Sequence, residues 1–312
     1  MGAHQTIVTN RDHDVFTLPD RIARERGIFE KHGLDVKVAL QLTQRSLEVA
    51  PKDYRAGFYP TPDNPLTNPA DAAFETGVSD THQLCEWGAI DRIERGSRAG
   101  RIAYLRPAVV TQAIVSWRED IQEPHDLVDK EVDVTANYYG AYYNTLQILE
   151  GVLTRDQIKT SAHGLTRQER VAKAKSGEIA AITIMEPWLS LALKEGAHIV
   201  ALSSYRGAAV VADHIPLEAQ EAYVKAINEA VDIINADPKA FRKYLTDLTD
   251  GELQPDELSG LFYRYTYAQP FTEQRFEETY SWMKSWNLTL GDRPFDAVIH
   301  NVVPTAPVQA AA

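Results

Sequence analysis

The chain has 312 residues, of which 44% are apolar and 24% are charged, a composition typical of a globular protein with room for two domains. Its net charge of −12 argues against nucleic acid and against an anionic membrane as partners. No apolar run reaches the length of a membrane-spanning helix. Cys85 is the only cysteine, which excludes an internal disulfide and any need for an oxidising compartment.

The first half of the chain alternates short apolar runs with amphipathic ones. The pattern predicts strands at 5–11, 34–42 and 71–78, helices at 18–32 and 83–95, and two further strands within 101–116. Residues 44–70 carry five prolines and several aromatic residues, and a loop of this length is usually functional or disordered. It could cover a binding cleft as a lid, or pack on the surface of the first domain.

The second half continues the alternation and ends in helices. Strands are predicted at 131–136, 157–162, 179–185, 198–202 and 207–212, and helices at 141–149, 188–194, 217–235, 238–247, 255–266 and 272–287. We expect crossovers between two α/β domains near 116–120 and 206–214, with a separate sheet in each domain.

Ligands of open α/β sheets bind beyond the carboxyl ends of the strands. Four polar clusters follow predicted strands and supply the candidate site residues, which are Asp12, His13, Asp14, Ser79, Asp80, His82, Asn137, Tyr138, Tyr139, Glu186 and Trp188. They come from both predicted domains, as a hinged cleft requires. Trp188 could equally be an ordinary core residue of a buried strand–helix unit.

Residues 137–140 (Asn-Tyr-Tyr-Gly) open a predicted helix. Free backbone amides and the helix dipole at such a start favour a carboxylate, sulfonate or phosphate. Tyr138 and Tyr139 could stack on a flat ligand and donate hydrogen bonds. The alternative is that the tyrosines only pack the domain interface.

Asp12, His13 and Asp14 place two carboxylates around an imidazole. Such a group suits a general acid or base, or a divalent metal with His82 as a further ligand. The alternative is a pair of carboxylates that cap the first helix. His82 and Cys85 are one helical turn apart in the predicted helix, but a lone buried cysteine is more often inert. No cofactor motif is evident, and zinc is not indicated.

Three stretches resemble one known family. They are IARERGIFEKHGLDVKV at 22–38, EDIQEPHDLVDKEVDV at 119–134 and ERVAKAKSGEIAAITIMEPWLSLALKEG at 169–196. In this order they are similar to the nitrate, sulfonate and taurine solute-binding proteins of ABC transporters, which belong with the thiamine-pyrimidine-precursor proteins to the type II periplasmic-binding-protein superfamily. The resemblance implies an α/β fold of two Rossmann-like domains, with domain one at 1–117 and 208–312, domain two at 118–207, and a ligand cleft between them.

The resemblance implies capture of a small anionic or aromatic molecule, a carboxylate or sulfonate, and an ABC permease as partner if the chain is exported. The alternative is a cytoplasmic enzyme on the same scaffold, an aromatic-acid decarboxylase or related lyase or hydrolase that uses Asp12, His13 and Asp14. Related desulfinases need a cysteine just after the first strand, where this chain has Asp14. Since the N-terminus has no secretory signal pattern, we expect a cytoplasmic protein, or a periplasmic one if a signal has been removed.

Overall fold

The computed structural model describes residues 4–12, 14–39, 73–75, 77–96, 98–289 and 291–304. His13 and the predicted 44–70 loop lie outside the described residues. None of the described helices is long and apolar enough to cross a membrane.

Nine strands and ten α-helices make up the regular structure of the described residues. The strands are β1 (Gln5–Thr9), β2 (Leu34–Val38), β3 (Thr81–Cys85), β4 (Gly100–Ser116), β5 (Glu131–Asp133), β6 (Lys159–Ser161), β7 (Ala181–Met185), β8 (His198–Ala212) and β9 (Tyr263–Tyr265). The helices are α1 (Leu18–Glu25), α2 (Ile28–Lys31), α3 (Glu86–Arg95), α4 (Gly140–Glu150), α5 (Arg167–Lys175), α6 (Trp188–Lys194), α7 (Leu217–Ala236), α8 (Arg242–Thr246), α9 (Glu273–Ser285) and α10 (Phe295–Val298). Short 3₁₀ turns lie at Pro124–Leu127, Pro238–Phe241, Asp247–Thr249 and Pro255–Glu257.

The strands are hydrogen-bonded in the order β2-β1-β3-β8-β4-β7-β5-β6, and β9 pairs with β4. We call β1, β2 and β3 with their helices lobe one, and β5, β6 and β7 with theirs lobe two. Within each lobe these three strands are parallel. β4 and β8 run antiparallel through both lobes, from Gly100 beside Ala212 to Ser116 beside His198.

The expected separation into two sheets is therefore wrong, because one ladder of strands connects the lobes. The strands predicted within 101–116 merge into β4, and those at 198–202 and 207–212 merge into β8. The pairing of β4 with β8 shifts register between Leu105 and Val109, because Pro107 has no N–H to donate to the ladder. The strand nevertheless continues past this predicted break. The predicted domain boundary at 117/118 follows β4 directly, whereas the boundary at 207/208 falls inside β8; both remain predictions.

Other differences have local causes. The predicted first helix is divided at Gly27, whose left-handed φ of 66° ends α1 and starts α2. The predicted strand at 71–78 is wrong, because residues 73–75 are helical and the strand is β3. The predicted helix at 255–266 is also wrong, because Gly260 interrupts it and the alternating aromatics of β9 pair with β4.

A buried ion pair fastens α1 to the middle of β4. The Arg106 guanidinium donates to Asp20 at 2.8 Å, and both side chains are 2% exposed. Gln83 and Tyr223 donate to the other oxygen of the same carboxylate, at 2.9 and 2.8 Å. Burial raises the pKa of Asp20, against the attraction of Arg106 and the bond from Tyr223. The network holds lobe one to the long strand at the level of the register shift.

Candidate functional site

The carboxyl ends of the parallel strands in the two lobes point toward each other. In lobe one, β3 ends at Cys85, which pairs with Gly207 near the middle of β8. In lobe two, β7 ends at Met185, which pairs with Gln112 near the middle of β4. The fold therefore places the residues that follow β1, β3, β5 and β7 around one interlobe region, as the rule for open α/β sheets requires.

Tyr205 of β8 lies at the centre of this region. Its ring is 5.3 Å from Phe16 and 5.2 Å from Trp87, centroid to centroid. Its hydroxyl approaches Gly140 so closely that a Cβ added there would lie 2.2 Å from the oxygen. Glycine at the start of α4 is thus required for the contact between the lobes. Burial raises the pKa of the Tyr205 phenol well above its ordinary value, so it is a neutral hydrogen-bonding group.

The predicted Asn137–Gly140 loop lies at this interface. The prediction of a helix start at this loop is confirmed, since Gly140 is the first residue of α4 and Tyr139 is its N-cap. Tyr138 adopts a left-handed φ of 61°, a strained conformation for a bulky residue. Its ring lies 5.5 Å from that of Tyr142. Asn137, Tyr138 and Tyr139 are each partly buried, so the loop is neither core nor open surface.

Asp12 and Asp14 are both held by neighbours in lobe one. Arg24 donates to Asp12 at 2.8 Å, and the backbone N–H and hydroxyl of Thr17 both donate to Asp14 at 3.0 Å. Asp14 also pairs with Arg11 at 3.3 Å. The two carboxylates therefore secure the turn that leads into α1.

The remaining candidates in lobe one lie farther from the interface. Ser79 and Asp80 precede β3 at the end farthest from lobe two, where Asp80 accepts from the Val8 N–H at 2.9 Å and pairs with His214 at 3.2 Å. His82 is buried inside β3, and burial, followed by repulsion from Arg92 and Arg11, lowers its pKa well below the ordinary value. Among the described residues no group of three or more His, Cys, Asp and Glu side chains could hold a metal ion.

Cys85 ends β3 at the interface, and its thiol is in an unreactive environment. Its Sγ accepts from the Gly88 N–H at 3.3 Å, and burial raises the pKa of the thiol to about 12. A thiol with that pKa is protonated at neutral pH and is a poor nucleophile.

Glu186 and Trp188 are both 1% exposed. The Glu186 carboxylate accepts from the Ser190 backbone N–H at 3.0 Å and from its hydroxyl at 2.6 Å, and so fastens the start of α6. The strand register places Tyr205 of β8 beside Val110 of β4, and Val110 beside Tyr263 of β9. Tyr263 in turn interacts electrostatically with Glu186. One row of side chains across the sheet therefore extends from the centre of the interface toward Glu186.

Glu186 makes stability depend on pH. Burial raises its pKa from 4.5 to about 7, against the two bonds from Ser190. Between these values the folded state keeps the proton and the unfolded state has lost it, so the free energy of unfolding falls as pH rises. Relative to Glu186→Gln, we expect the wild type to lose up to about 3 kcal/mol between pH 4.5 and pH 7. Urea unfolding of both proteins at pH 5 and pH 8 measures this, and parallel pH profiles would contradict it.

Two arginines that the sequence analysis did not select complete the site. Arg11 follows β1 and, besides its pair with Asp14, donates to the Gln83 carbonyl at 3.3 Å. Arg167 is the first residue of α5 in lobe two. Burial lowers the pKa of Arg167 to about 10, while Asp14 of lobe one raises it and Arg170 and Arg11 lower it. Arg11 of lobe one and Arg167 of lobe two thus both interact electrostatically with Asp14.

Arg170 fixes the position of α5, and with it Arg167. Its guanidinium pairs with Asp133 at the end of β5 and donates to the Asp133 carbonyl at 2.6 Å, the Thr183 carbonyl at 3.0 Å and the Thr135 hydroxyl at 2.6 Å. Both partners of the pair are almost fully buried. Thr166 and Glu169 form a capping box that closes the start of the helix.

Comparison with known proteins shows the fold. No protein-family model and no curated protein matches the chain. The alkanesulfonate-binding protein SsuA from Xanthomonas axonopodis pv. citri, bound to MOPS, superposes with a TM-score of 0.65 at 13% identity, over 96% of this chain and 99% of that one. The periplasmic aliphatic sulphonate binding protein SsuA from Escherichia coli gives 0.64 at 14% identity, over 92% and 94%. The desulfurization enzyme DSZB gives 0.58 at 13% identity, over 92% and 93%.

These identities are too low to carry over a ligand or a reaction, but the coverage is nearly complete in both directions. The α/β class and the fold that the resemblance implied are confirmed. The chain therefore has the fold of the periplasmic binding proteins, with two α/β lobes joined by the long strands β4 and β8.

Proposed function

We propose that the chain captures a small organic anion, a sulfonate or a carboxylate, between its two lobes. The observation that carries the proposal is the placement of Arg11 and Arg167, one from each lobe, around the single carboxylate of Asp14. Among the described residues, two guanidinium groups thus share the one negative charge of Asp14. An anion at this place would add a second negative charge and would bind both lobes at once.

Arg167 is the better-supported contact. Within the described part of the chain no carboxylate forms an ion pair with its guanidinium, and burial disfavours its charged form. A ligand anion would restore a partner to this cation, and the planar guanidinium suits the paired oxygens of a sulfonate or carboxylate. The negative net charge of the chain makes a local positive site of this kind selective for small anions over acidic macromolecules.

The start of α4 supports the same proposal. Asn144 follows Gly140 by one helical turn, so the two lie on one face of the helix. Asn144 is fully buried, and neither atom of its amide has a hydrogen-bond partner among the described residues. A buried amide without partners is unfavourable unless a ligand or water satisfies it. Tyr138, Tyr139 and Tyr205 would then contact the organic part of the ligand.

A solute-binding role brings further elements. Closure of the lobes on the ligand by bending of β4 and β8 is the expected movement for this architecture. Because the Escherichia coli neighbour is a periplasmic binding protein, the proposal also includes a periplasmic location and an ABC permease as partner. The enzyme alternative would use Asp12, His13 and Asp14, of which Asp12 and Asp14 are engaged by Arg24 and Thr17 and His13 lies outside the described residues.

A thermal-shift screen tests the proposal. We expect at least one small alkane- or arylsulfonate or carboxylate to raise the melting temperature, because a ligand at one hundred times its Kd stabilises the folded state by about 2.7 kcal/mol. The matched control is the neutral amide or methyl ester of the same compound. Equal stabilisation by the neutral compound would contradict anion recognition, and chemical conversion of the ligand during the assay would favour the enzyme alternative.

A further inference from the structure

The two faces of the long strand β8 differ in chemistry. Successive residues of a strand point to opposite faces, so Tyr205 faces the interlobe region and Arg206 faces the other side of the sheet. We call that other side the back face of the hinge. The strand register places Arg206 of β8 beside Val109 of β4, and Val109 beside Arg264 of β9. Arg206 and Arg264 therefore lie on the same face, two strand spacings or about 10 Å apart at Cα.

A third arginine reaches the same place from α9. Arg275 pairs with Glu86 through both nitrogens, at 2.6 and 3.1 Å. Cys85 is the register partner of Gly207, so Glu86 follows at the level of Arg206, and its ion pair holds Arg275 there. Glu86 neutralises one of the three guanidinium groups. The cluster of Arg206, Arg264 and Arg275 thus keeps two positive charges uncompensated by the described residues.

The contacts of the other two arginines are neutral or absent. Arg206 donates to the carbonyls of Arg106 and Pro107 at 3.1 and 3.4 Å and to the Thr266 hydroxyl at 2.7 Å. Arg264 is exposed, and no carboxylate of the described residues pairs with it. Burial, with repulsion from Arg275 and Arg264 and against the attraction of Glu86, lowers the pKa of Arg206 to about 10.

Like charges brought together from three separate elements repel one another, and a bound anion offsets that repulsion. This cluster stands out further because the chain as a whole carries a net charge of −12. Guanidinium groups converging from β8, β9 and α9 can each offer paired N–H donors to a tetrahedral oxyanion. The Thr266 hydroxyl accepts from Arg206 and helps to hold its guanidinium in place.

We propose that the back face of the hinge holds a binding site for a doubly charged oxyanion of the phosphate or sulfate class, formed by Arg206, Arg264 and Arg275. It is separate from the interlobe site, because the two lie on opposite faces of β8. Binding of an oxyanion at the back face does not depend on which organic anion binds between the lobes. Since the cluster joins β8 to β9 and α9, a bound oxyanion would tie the hinge strand to these two elements.

Calorimetric titration with inorganic phosphate at low ionic strength tests the site. Arg264→Gln is the informative variant, because the side chain is exposed and its loss leaves the fold intact. We expect wild-type protein to bind phosphate and Arg264→Gln to bind it about five- to tenfold more weakly, the effect of removing one nearby positive charge. Arg293→Gln, at an exposed arginine elsewhere on lobe one, is the matched control and should bind like the wild type.

A second variant, Arg167→Gln, separates the two sites. It should leave phosphate affinity unchanged if the anion binds at the back face. Loss of phosphate binding in Arg167→Gln with retention in Arg264→Gln would place the anion between the lobes and overturn the inference. Equal weakening in Arg264→Gln and Arg293→Gln, or no binding by the wild type at about 10 mM phosphate, would also overturn it.

Discussion

Replacing Arg167 by glutamine is expected to weaken binding of the organic anion by about 10- to 100-fold. Glutamine keeps a hydrogen-bond donor and much of the side-chain length but removes the charge, and a hydrogen bond to a charged group contributes about 1.5–3 kcal/mol. Arg167 is also the contact from lobe two, whereas Arg11 belongs to lobe one. Its loss should therefore also reduce the gain from closing the lobes on the ligand.

Isothermal titration with the best compound from the thermal-shift screen measures this effect. Lys173→Gln is the matched control, because Lys173 lies on the same helix and pairs with the exposed Glu178. It removes the same charge without touching the interlobe region. If the two variants bind equally, the anion does not contact Arg167 and the proposed site is wrong.

Replacing Arg170 by methionine is expected to lower the free energy of unfolding by about 3–5 kcal/mol. Methionine retains much of the buried volume but leaves the Asp133 carboxylate without its cation, in a place where it is 1% exposed. It also removes the donors to the carbonyls of Asp133, at the end of β5, and of Thr183, within β7. Urea denaturation with linear extrapolation measures the change.

Lys173→Met serves as the control for stability as well. Its ion pair with Glu178 is exposed, and such pairs contribute about 0–1 kcal/mol. A similar cost for both variants would show that the buried pair adds nothing beyond a surface pair. Because Arg170 positions α5, its loss should also weaken ligand binding, whereas Lys173→Met should not.

Much of the fold could be predicted because long amphipathic segments and family motifs are local signals. The helix predicted at 217–235 is α7, Leu217–Ala236. The ends of strands are harder to predict where pairing with another strand continues past a local break in the apolar pattern. Pro107 and Arg206 interrupt the apolar pattern of β4 and β8, yet pairing of the two strands across both lobes continues past them.

The site was only partly predictable, because its charged residues are isolated in the sequence. Arg11 was assigned to the end of a strand, and no spacing pattern distinguishes it from other surface arginines. For Arg167 a signal existed, since Thr166 and Glu169 have the spacing of a capping box and indicate a helix start. What could not be seen is that β1 and α5, more than 150 positions apart, bring Arg11 and Arg167 toward one carboxylate.

The long strands also set the order in which the chain can fold during synthesis. β5, β6 and β7 lie within one uninterrupted segment, 117–197, so lobe two can complete its parallel pairs as soon as that segment has emerged. The parallel pairs of lobe one lie early in the chain, but β3 lacks its antiparallel neighbour β8 until about 125 positions later. The edge of β3 that pairs with β8 thus stays open while the ribosome makes the middle of the chain. Vectorial synthesis should therefore produce a folded lobe two first and expose lobe one longest to misassociation.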